Sequence, residues 1–144
     1  MAIEILLIED NPADVRLISE ALGQGKTINH LSVAKDGAEA LDLLRGLPPH
    51  PQPARIDLIV LDLNLPRKNG REVLAKLKRH PRLKHIPVIV FTSSEAEEDI
   101  REAYSAHANC YVIKPVGLEQ FMRAIRSMKD FWLTVARLPG KGRA

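Results

Sequence analysis

The sequence predicts an α/β fold in which helices cover both faces of a parallel sheet. Five short apolar segments with the composition of buried strands alternate with five segments whose apolar residues recur at helical spacing. Such alternation is typical of parallel sheets, because each helix carries the chain back to the start of the next strand. The length of 144 residues fits one domain, and 45% hydrophobic content with only 4% aromatic residues predicts a mostly aliphatic core.

The first half of the chain is expected to hold two strand–helix pairs and an irregular loop. Residues 3–8 form an apolar run that ends on acids, and the helix after them stops at Gly23 and Gly25. Residues 30–34 are typical of a weaker edge strand, which a turn connects to a short helix over 38–44. Residues 47–55 contain four prolines and are expected to form a loop, because proline interrupts helices and strands.

The second half is expected to hold three further strand–helix pairs. The apolar runs predict strands at 59–61, 88–91 and 110–113, and the helical spacing predicts helices at 70–80, 95–106 and 118–128. Gly70 opens the first of these helices, and Pro81 ends it. Acids in the first turn of the helix over 95–106 suit the positive end of its dipole.

Composition and charge exclude several classes of function. The formal net charge of +3 is too mild to indicate a nucleic-acid partner by itself. The single cysteine, Cys110, excludes an internal disulfide and fits a reducing cytoplasm. The chain starts without a signal-peptide pattern, and no run approaches the ~18 apolar residues of a membrane span. We therefore expect a cytoplasmic protein that contacts neither nucleic acid nor membrane directly.

Side chains that could take part in chemistry lie at the ends of four predicted strands. Glu9 and Asp10 follow the first strand, Asp62 the third, Thr92 the fourth and Lys114 the fifth. Parallel strands would bring these side chains together at one edge of the sheet. Three carboxylates are unfavourable together unless a cation balances them, and one lysine with one divalent ion would do so. The hard oxygen ligands favour Mg²⁺, and the set as a whole is suited to accepting a phosphoryl group.

The sequence also allows other roles for Asp62. An aspartate after a strand often serves only to cap the next turn. Phosphatases of the haloacid dehalogenase class also use a strand-end aspartate, but they place a second acid two residues later, where this chain has Asn64. An interaction module of the same fold that is never phosphorylated is the alternative function, although here all the acids and the lysine are present.

Over about residues 3–130 the chain resembles the receiver domain of two-component response regulators. The residues that carry the likeness, in family order and spacing, are Glu9-Asp10, Asp62, Asn64, Pro66, Gly70, Thr92, Tyr111 and Lys114-Pro115. The resemblance implies a flavodoxin-like (βα)5 doubly wound fold with strand order 2-1-3-4-5 and a receiver domain over 1–130. It implies a phosphorelay role in which the chain accepts phosphate and turns over no separate substrate.

The same resemblance implies a role for each site residue. A histidine kinase would phosphorylate Asp62, with Thr92 and Lys114 contacting the phosphoryl group. Glu9, Asp10, Asp62 and the backbone carbonyl of Asn64 would bind Mg²⁺. Thr92 and Tyr111 would form a switch pair.

The C-terminal segment 131–144 is expected to be an arm, with no output domain after it. The proline loop and the sequence Asp130-Phe131-Trp132-Leu133 look like the single-domain regulators that partner phytochrome kinases. The apolar residues of the arm would be exposed on a monomer, and exposed apolar surface often marks an interface. We therefore expect a two-fold homodimer built on helix five with Phe131, Trp132 and Leu133. The alternative is that the arm folds back on its own domain.

Overall fold

The computed structural model contains a five-stranded parallel sheet in the order β2-β1-β3-β4-β5, as predicted. The structure describes residues 2–24, 29–46, 55–66 and 69–139. The predicted proline loop therefore lies outside the described residues, apart from Arg55. The strands are β1 Ile3–Ile8, β2 Asn29–Ala34, β3 Leu58–Leu61, β4 Val88–Thr92 and β5 Cys110–Ile113.

Five α-helices connect and follow the strands. They are α1 Pro12–Gly23, α2 Gly37–Arg45, α3 Gly70–Arg79, α4 Glu97–Ser105 and α5 Leu118–Asp130. The first three begin at polar caps, since the side chains of Asn11, Asp36 and Asn69 each accept a bond from the backbone N–H three residues on. None of the described helices has the length and apolar character needed to cross a membrane.

Helix α4 begins two residues later than the acidic first turn suggested. The segment before it is held in an irregular conformation, because the Ser94 hydroxyl accepts a bond from the N–H of Ala96 at 3.3 Å. The carbonyl of Ser94 also accepts a bond from the hydroxyl of Tyr111 at 2.9 Å. The helix therefore begins only after a segment that is bonded to Tyr111 of β5. Local sequence does not reveal this contact.

The sheet separates two aliphatic cores, one on each face. Alternate residues of a strand point to opposite faces, so Leu6 and Ile8 of β1 join one core and Ile5 and Leu7 join the other. Helices α2, α3 and α4 cover the first core, and α1 and α5 cover the second. Burial on both faces explains why β3, and β4 as far as Phe91, are continuously apolar in sequence.

The segment after α5 departs from the predicted exposed arm. Residues 131–135 form a π-helical turn, closed by a bond from the N–H of Ala136 to the carbonyl of Phe131 at 2.7 Å. The extra residue per turn lets Trp132 and Leu133 both pack against the second core. Leu138 is only 4% exposed, so the expectation that it would be exposed is wrong.

Part of the arm nevertheless remains apolar and exposed. Phe131 is 51% exposed and Val135 is 73% exposed. The rings of Phe131 and Trp132 are nearly perpendicular, with centroids 5.3 Å apart, so Trp132 covers part of the Phe131 ring. Phe131 stays exposed, whereas its neighbour Trp132 packs against the second core.

Gly70 provides a test of how closely α3 packs against the segment that follows β3. A Cβ atom at residue 70 would overlap the backbone carbonyl of Asp62 and the Cα of Leu63. We expect Gly70→Ala to lower the free energy of unfolding by about 1–3 kcal/mol, because rigid backbone must move. Urea denaturation measures this change.

Gly23→Ala is the matched control for that substitution. A Cβ at residue 23, in the last turn of α1, meets no atom within 4 Å. This variant should be neutral or more stable by up to about 1 kcal/mol, from helix propensity alone. Equal stability of the two variants would contradict the close packing of α3 on the β3–α3 connection.

Candidate functional site

The predicted site residues are positioned by the ends of neighbouring parallel strands. The N–H of Asp62 donates to the carbonyl of Ile8 at 3.0 Å, so β3 stays paired with β1 up to the aspartate. In the same way the N–H of Lys114 donates to the carbonyl of Thr92 at 2.7 Å. These bonds extend the ladder one residue past β3 and β5. The sheet therefore fixes the backbone from which each side chain projects.

Asp62 is the buried centre of the site, with 6% of its surface exposed. Its Oδ1 accepts bonds from the hydroxyl of Thr92 at 2.8 Å and from the N–H of Asn64 at 3.1 Å. Its Oδ2 lies 3.1 Å from Nζ of Lys114. Both carboxylate oxygens are thus oriented, and the prediction that Asp62, Thr92 and Lys114 would meet at one edge is confirmed.

Lys114 is bound by three carboxylates. Its Nζ lies 2.6 Å from Glu9, 2.8 Å from Asp14 and 3.1 Å from Asp62. Burial alone would lower the pKa of Lys114, but its contacts with Asp14 and Glu9 raise that pKa above the usual value. The lysine is therefore a permanent cation in the site, and it also lies 5.9 Å from the centre of the Phe91 ring.

Three of the acids could hold a metal ion. One carboxylate oxygen from each of Glu9, Asp10 and Asp62 lies within 4.8 Å of the others. Glu9 is 1% exposed, whereas Asp10 is exposed. Oxygen ligands without sulfur or imidazole suit a hard divalent cation such as Mg²⁺ or Mn²⁺. The donor set therefore fits the predicted metal site, while the part of the Asn64 carbonyl stays a prediction.

The pKa of the Glu9 carboxyl group is unusually high. Desolvation by burial raises its pKa from 4.5 to about 7, and the contact with Lys114 offsets only part of this effect. The negative charge of Asp62 adds to the upward shift. The second oxygen of Glu9 accepts a bond from the N–H of Asn11 at 3.2 Å. A group this costly to bury is typical of a functional site.

Tyr111, the second member of the predicted switch pair, lies on β5 opposite Val90 of β4. Its ring packs against the first core, and its hydroxyl donates to the carbonyl of Ser94 at 2.9 Å. Burial raises the pKa of Tyr111 above its usual value. Thr92 ends β4 and Ser94 lies two residues later, in the connection to α4, so Tyr111 contacts the segment that follows Thr92.

An ion pair that sequence reasoning missed connects this segment to two helices. Asp99 of α4 accepts a bond from the hydroxyl of Ser94 at 2.5 Å and pairs with Arg71 of α3 at 2.6 Å. Contacts with Ser94 and Arg71 lower the pKa of Asp99. The sequence signal was weak, because Asp99 was explained sufficiently as an acid in the first turn of a helix.

Asp14 is a second residue that the sequence did not single out. It lies in the first turn of α1 and pairs with Lys114 across 100 positions of the chain. Its only sequence signal is its place one turn after Glu9 and Asp10, at the same edge of the sheet.

Comparison with known proteins defines the family. The response regulator receiver domain family matches residues 5–126. Response regulator Rcp1 of Synechocystis sp. is 43% identical over 136 residues, which cover 94% of this chain and 92% of Rcp1. The chain belongs to the response regulator receiver family, whose general mechanism is phosphorylation of an aspartate.

Solved structures agree with this assignment. The phosphorylated cyanobacterial phytochrome response regulator RcpA has a TM-score of 0.94 and 44% identity, covering 97% of this chain and all of its own. The Mn²⁺-bound form of Rcp1 has a TM-score of 0.92 and 41% identity, covering 95% of this chain and 99% of its own. The chain thus resembles phytochrome response regulators over nearly its whole length.

The family also includes parts of larger proteins. A probable cyclic di-GMP phosphodiesterase of Vibrio cholerae is 33% identical over 79% of this chain, but the match covers only 24% of that protein. Receiver domains are generally phosphoryl acceptors and not enzymes.

The raised pKa of Glu9 predicts a specific dependence of stability on pH when divalent cations are chelated. Folded Glu9 gains its proton near pH 7, whereas the unfolded chain does so near 4.5. The folded state therefore binds more protons between these values. The stabilising contribution is complete below about pH 4.5 and disappears as the pH rises through about 7.

Glu9→Gln removes this contribution without removing the shape of the side chain. The free energy of unfolding of wild type minus that of Glu9→Gln should decrease between pH 4.5 and 7, as measured by urea denaturation with chelator present. Glu20→Gln, at an exposed acid of α1, is the matched control. A difference that increases with pH would contradict the upward shift.

Proposed function

We propose that this receiver accepts a phosphoryl group on Asp62 from a histidine kinase. The observation that carries the proposal is the arrangement around the Asp62 carboxylate. A hydroxyl from Thr92 and an ammonium from Lys114 contact its two oxygens, at 2.8 and 3.1 Å. This pair of groups is what a transferring phosphoryl group requires, because its oxygens carry negative charge.

The proposed transfer is a direct displacement. A carboxylate oxygen of Asp62 forms a bond to phosphorus, the bond between phosphorus and the donor nitrogen breaks, and the electron pair leaves with the imidazole of the kinase. Lys114 would move from the carboxylate to a phosphoryl oxygen, and Thr92 would donate to another. Burial of Asp62 strengthens these charge interactions by excluding water.

Mg²⁺ is the proposed cofactor. Glu9, Asp10, Asp62 and the backbone carbonyl of Asn64 would hold it beside the phosphoryl group. When bound, the cation would supply positive charge that neutralises the phosphoryl oxygens. The supporting observations are the cluster of three carboxylates and the Mn²⁺-bound form of the relative Rcp1.

The kinase partner is proposed to be of the phytochrome type. Support comes from RcpA, a phytochrome response regulator with 44% identity over nearly all of the chain. A cytoplasmic location and the absence of direct contacts with nucleic acid or membrane belong to the same proposal. So does the absence of turnover on any separate substrate, since Asp62 would itself be the group that is modified.

Phosphorylation of Asp62 is tested with acetyl phosphate and Mg²⁺. Wild type should gain one phosphoryl group by intact mass, and Asp62→Asn should gain none, because the amide lacks the nucleophilic carboxylate. Asp42→Asn, at an acid of α2 outside the cluster, is the matched control and should label as wild type does. An unlabelled wild type would favour the alternative, an interaction module that is not phosphorylated.

The switch role of Thr92 and Tyr111 is part of the proposed function. A phosphoryl group on Asp62 would transfer the Thr92 hydroxyl from the carboxylate, to which it donates at 2.8 Å, to a phosphoryl oxygen, and so move the connection that carries Ser94. Tyr111 holds the carbonyl of Ser94, so that movement would release the tyrosine and change the face formed by α4, β5 and α5. Such a change is a shift between two packings of one structure.

Thr92→Ala should separate phosphorylation from this response. The variant should still accept phosphate on Asp62, but the NMR shifts of the Tyr111 amide should change only weakly, because the hydroxyl that connects the two events is lost. Thr134→Ala, at an exposed threonine after α5, is the matched control and should respond as wild type does. A full response in Thr92→Ala would refute the coupling.

A homodimer through helix α5 and the segment after it is also proposed. Of the predicted contact residues Phe131, Trp132 and Leu133, the last two are packed against the second core. Phe131 is half exposed beside the exposed Val135, so these two would form the centre of the contact. Exposed apolar surface of this kind favours a partner.

Phe131→Ser should weaken the dimer without disturbing the core. Sedimentation of wild type at concentrations on the order of tens of micromolar should show a dimer, and the variant should shift towards monomer. Thr134→Ser, within the same turn, is the matched control. A monomeric wild type would end this part of the proposal, and a variant that stays fully dimeric would place the interface elsewhere.

A further inference from the structure

Two acids other than the proposed phosphoacceptor make the shortest contacts of Lys114. An ammonium has three N–H donors, and the three carboxylates around Nζ can engage all of them. The bonds to Glu9 at 2.6 Å and Asp14 at 2.8 Å are shorter than the bond to Asp62 at 3.1 Å. The position of the ammonium beside Asp62 therefore depends largely on Glu9 and Asp14.

The start of helix α1 places Asp14 rigidly. The side chain of Asn11 caps the helix by accepting a bond from the N–H of Asp14 at 3.0 Å, and Pro12 occupies the first turn. The carbonyl of Asn11 accepts from the N–H of Val15 at 3.0 Å. Asp14 thus projects from a well-ordered first turn, with 23% of its side chain exposed against 9% for Lys114.

Glu9 and Asp14 differ in their relation to the proposed metal site. Glu9 belongs to the group of acids whose oxygens lie within 4.8 Å of one another, together with Asp10 and Asp62. Over the described part of the chain, Asp14 lies outside that group. A divalent cation held there would attract the carboxylates of Glu9 and Asp62 and repel the lysine. Asp14 is the partner whose bond to Lys114 does not compete with the cation.

We propose that Asp14 is the positioning residue for Lys114. It holds the ammonium beside Asp62 while the divalent cation occupies Glu9, so that one N–H donor remains directed at the transferring phosphoryl group. Asp14 touches neither the phosphoryl group nor the cation and acts only through the lysine. The inference rests on the proposed phosphorylation of Asp62.

Truncation of Asp14 tests this role on the full chain. With acetyl phosphate and Mg²⁺, the initial rate of phosphorylation, followed by intact mass, should fall about tenfold in Asp14→Ala, because a loosely held catalytic group loses its orientation. The rate of Asp14→Ser should fall equally, because the serine side chain is too short for its hydroxyl to reach Nζ. Agreement of the two variants would show that the loss is not a folding defect of one of them.

The conservative variant separates positioning from charge. The amide oxygen of Asp14→Asn can still accept a bond from Lys114, so this variant should keep its rate within about threefold of wild type. Glu20→Ala, which removes an exposed acid six residues further along α1, is the control for loss of charge and should match wild type.

The rates of the three Asp14 variants, compared with wild type, support or refute the proposed positioning role. Slow Asp14→Ala and Asp14→Ser with a fast Asp14→Asn support positioning through Lys114. Truncated variants as fast as wild type, or Asp14→Asn as slow as the truncations, overturn it. Failure of wild type itself to become phosphorylated would instead refute the proposed function, so the two failures are distinguishable.

Discussion

The balance of charge around Lys114 is the constraint on which the rest of the site depends. Glu9, Asp14 and Asp62 surround one ammonium, and Asp10 adds a further acid at the surface. Four acids and one lysine leave an excess of negative charge, which a divalent cation would reduce. Burial is the main cause of the raised pKa of Glu9, and the negative charge of Asp62 adds to it. The acids and Lys114 alone therefore leave negative charge unbalanced. A bound divalent cation would balance more of it.

The parallel sheet holds these charged residues close together. Ladder bonds extend past β3 and β5 to the backbones of Asp62 and Lys114, so the sheet fixes the positions from which these charged side chains project. Helix α3 packs so closely that only glycine fits at residue 70 against the backbone of Asp62. Two aliphatic cores, one on each face, supply the burial that stabilises this rigid frame.

A connected set of polar contacts leads from Asp62 to the exposed helices. Thr92 bonds Asp62, and the connection after Thr92 is held by Tyr111 through the carbonyl of Ser94. Asp99 then joins the hydroxyl of Ser94 to Arg71 of α3. The proposed switch would act through these contacts, which connect the aspartate to α3, α4 and β5.

The sequence by itself determined the alternating fold, the strand order by resemblance, and the meeting of Glu9, Asp10, Asp62, Thr92 and Lys114. The alternation follows from local periodicity, and the meeting of the side chains follows from the rule that parallel strands end at one edge. Only the tertiary structure decided that Asp14 binds Lys114, that Arg71 binds Asp99, and that Leu138 returns to the core. Each of these depends on distances between elements remote in sequence, or on a π-helical turn with no local signature, so local patterns of residues do not predict them.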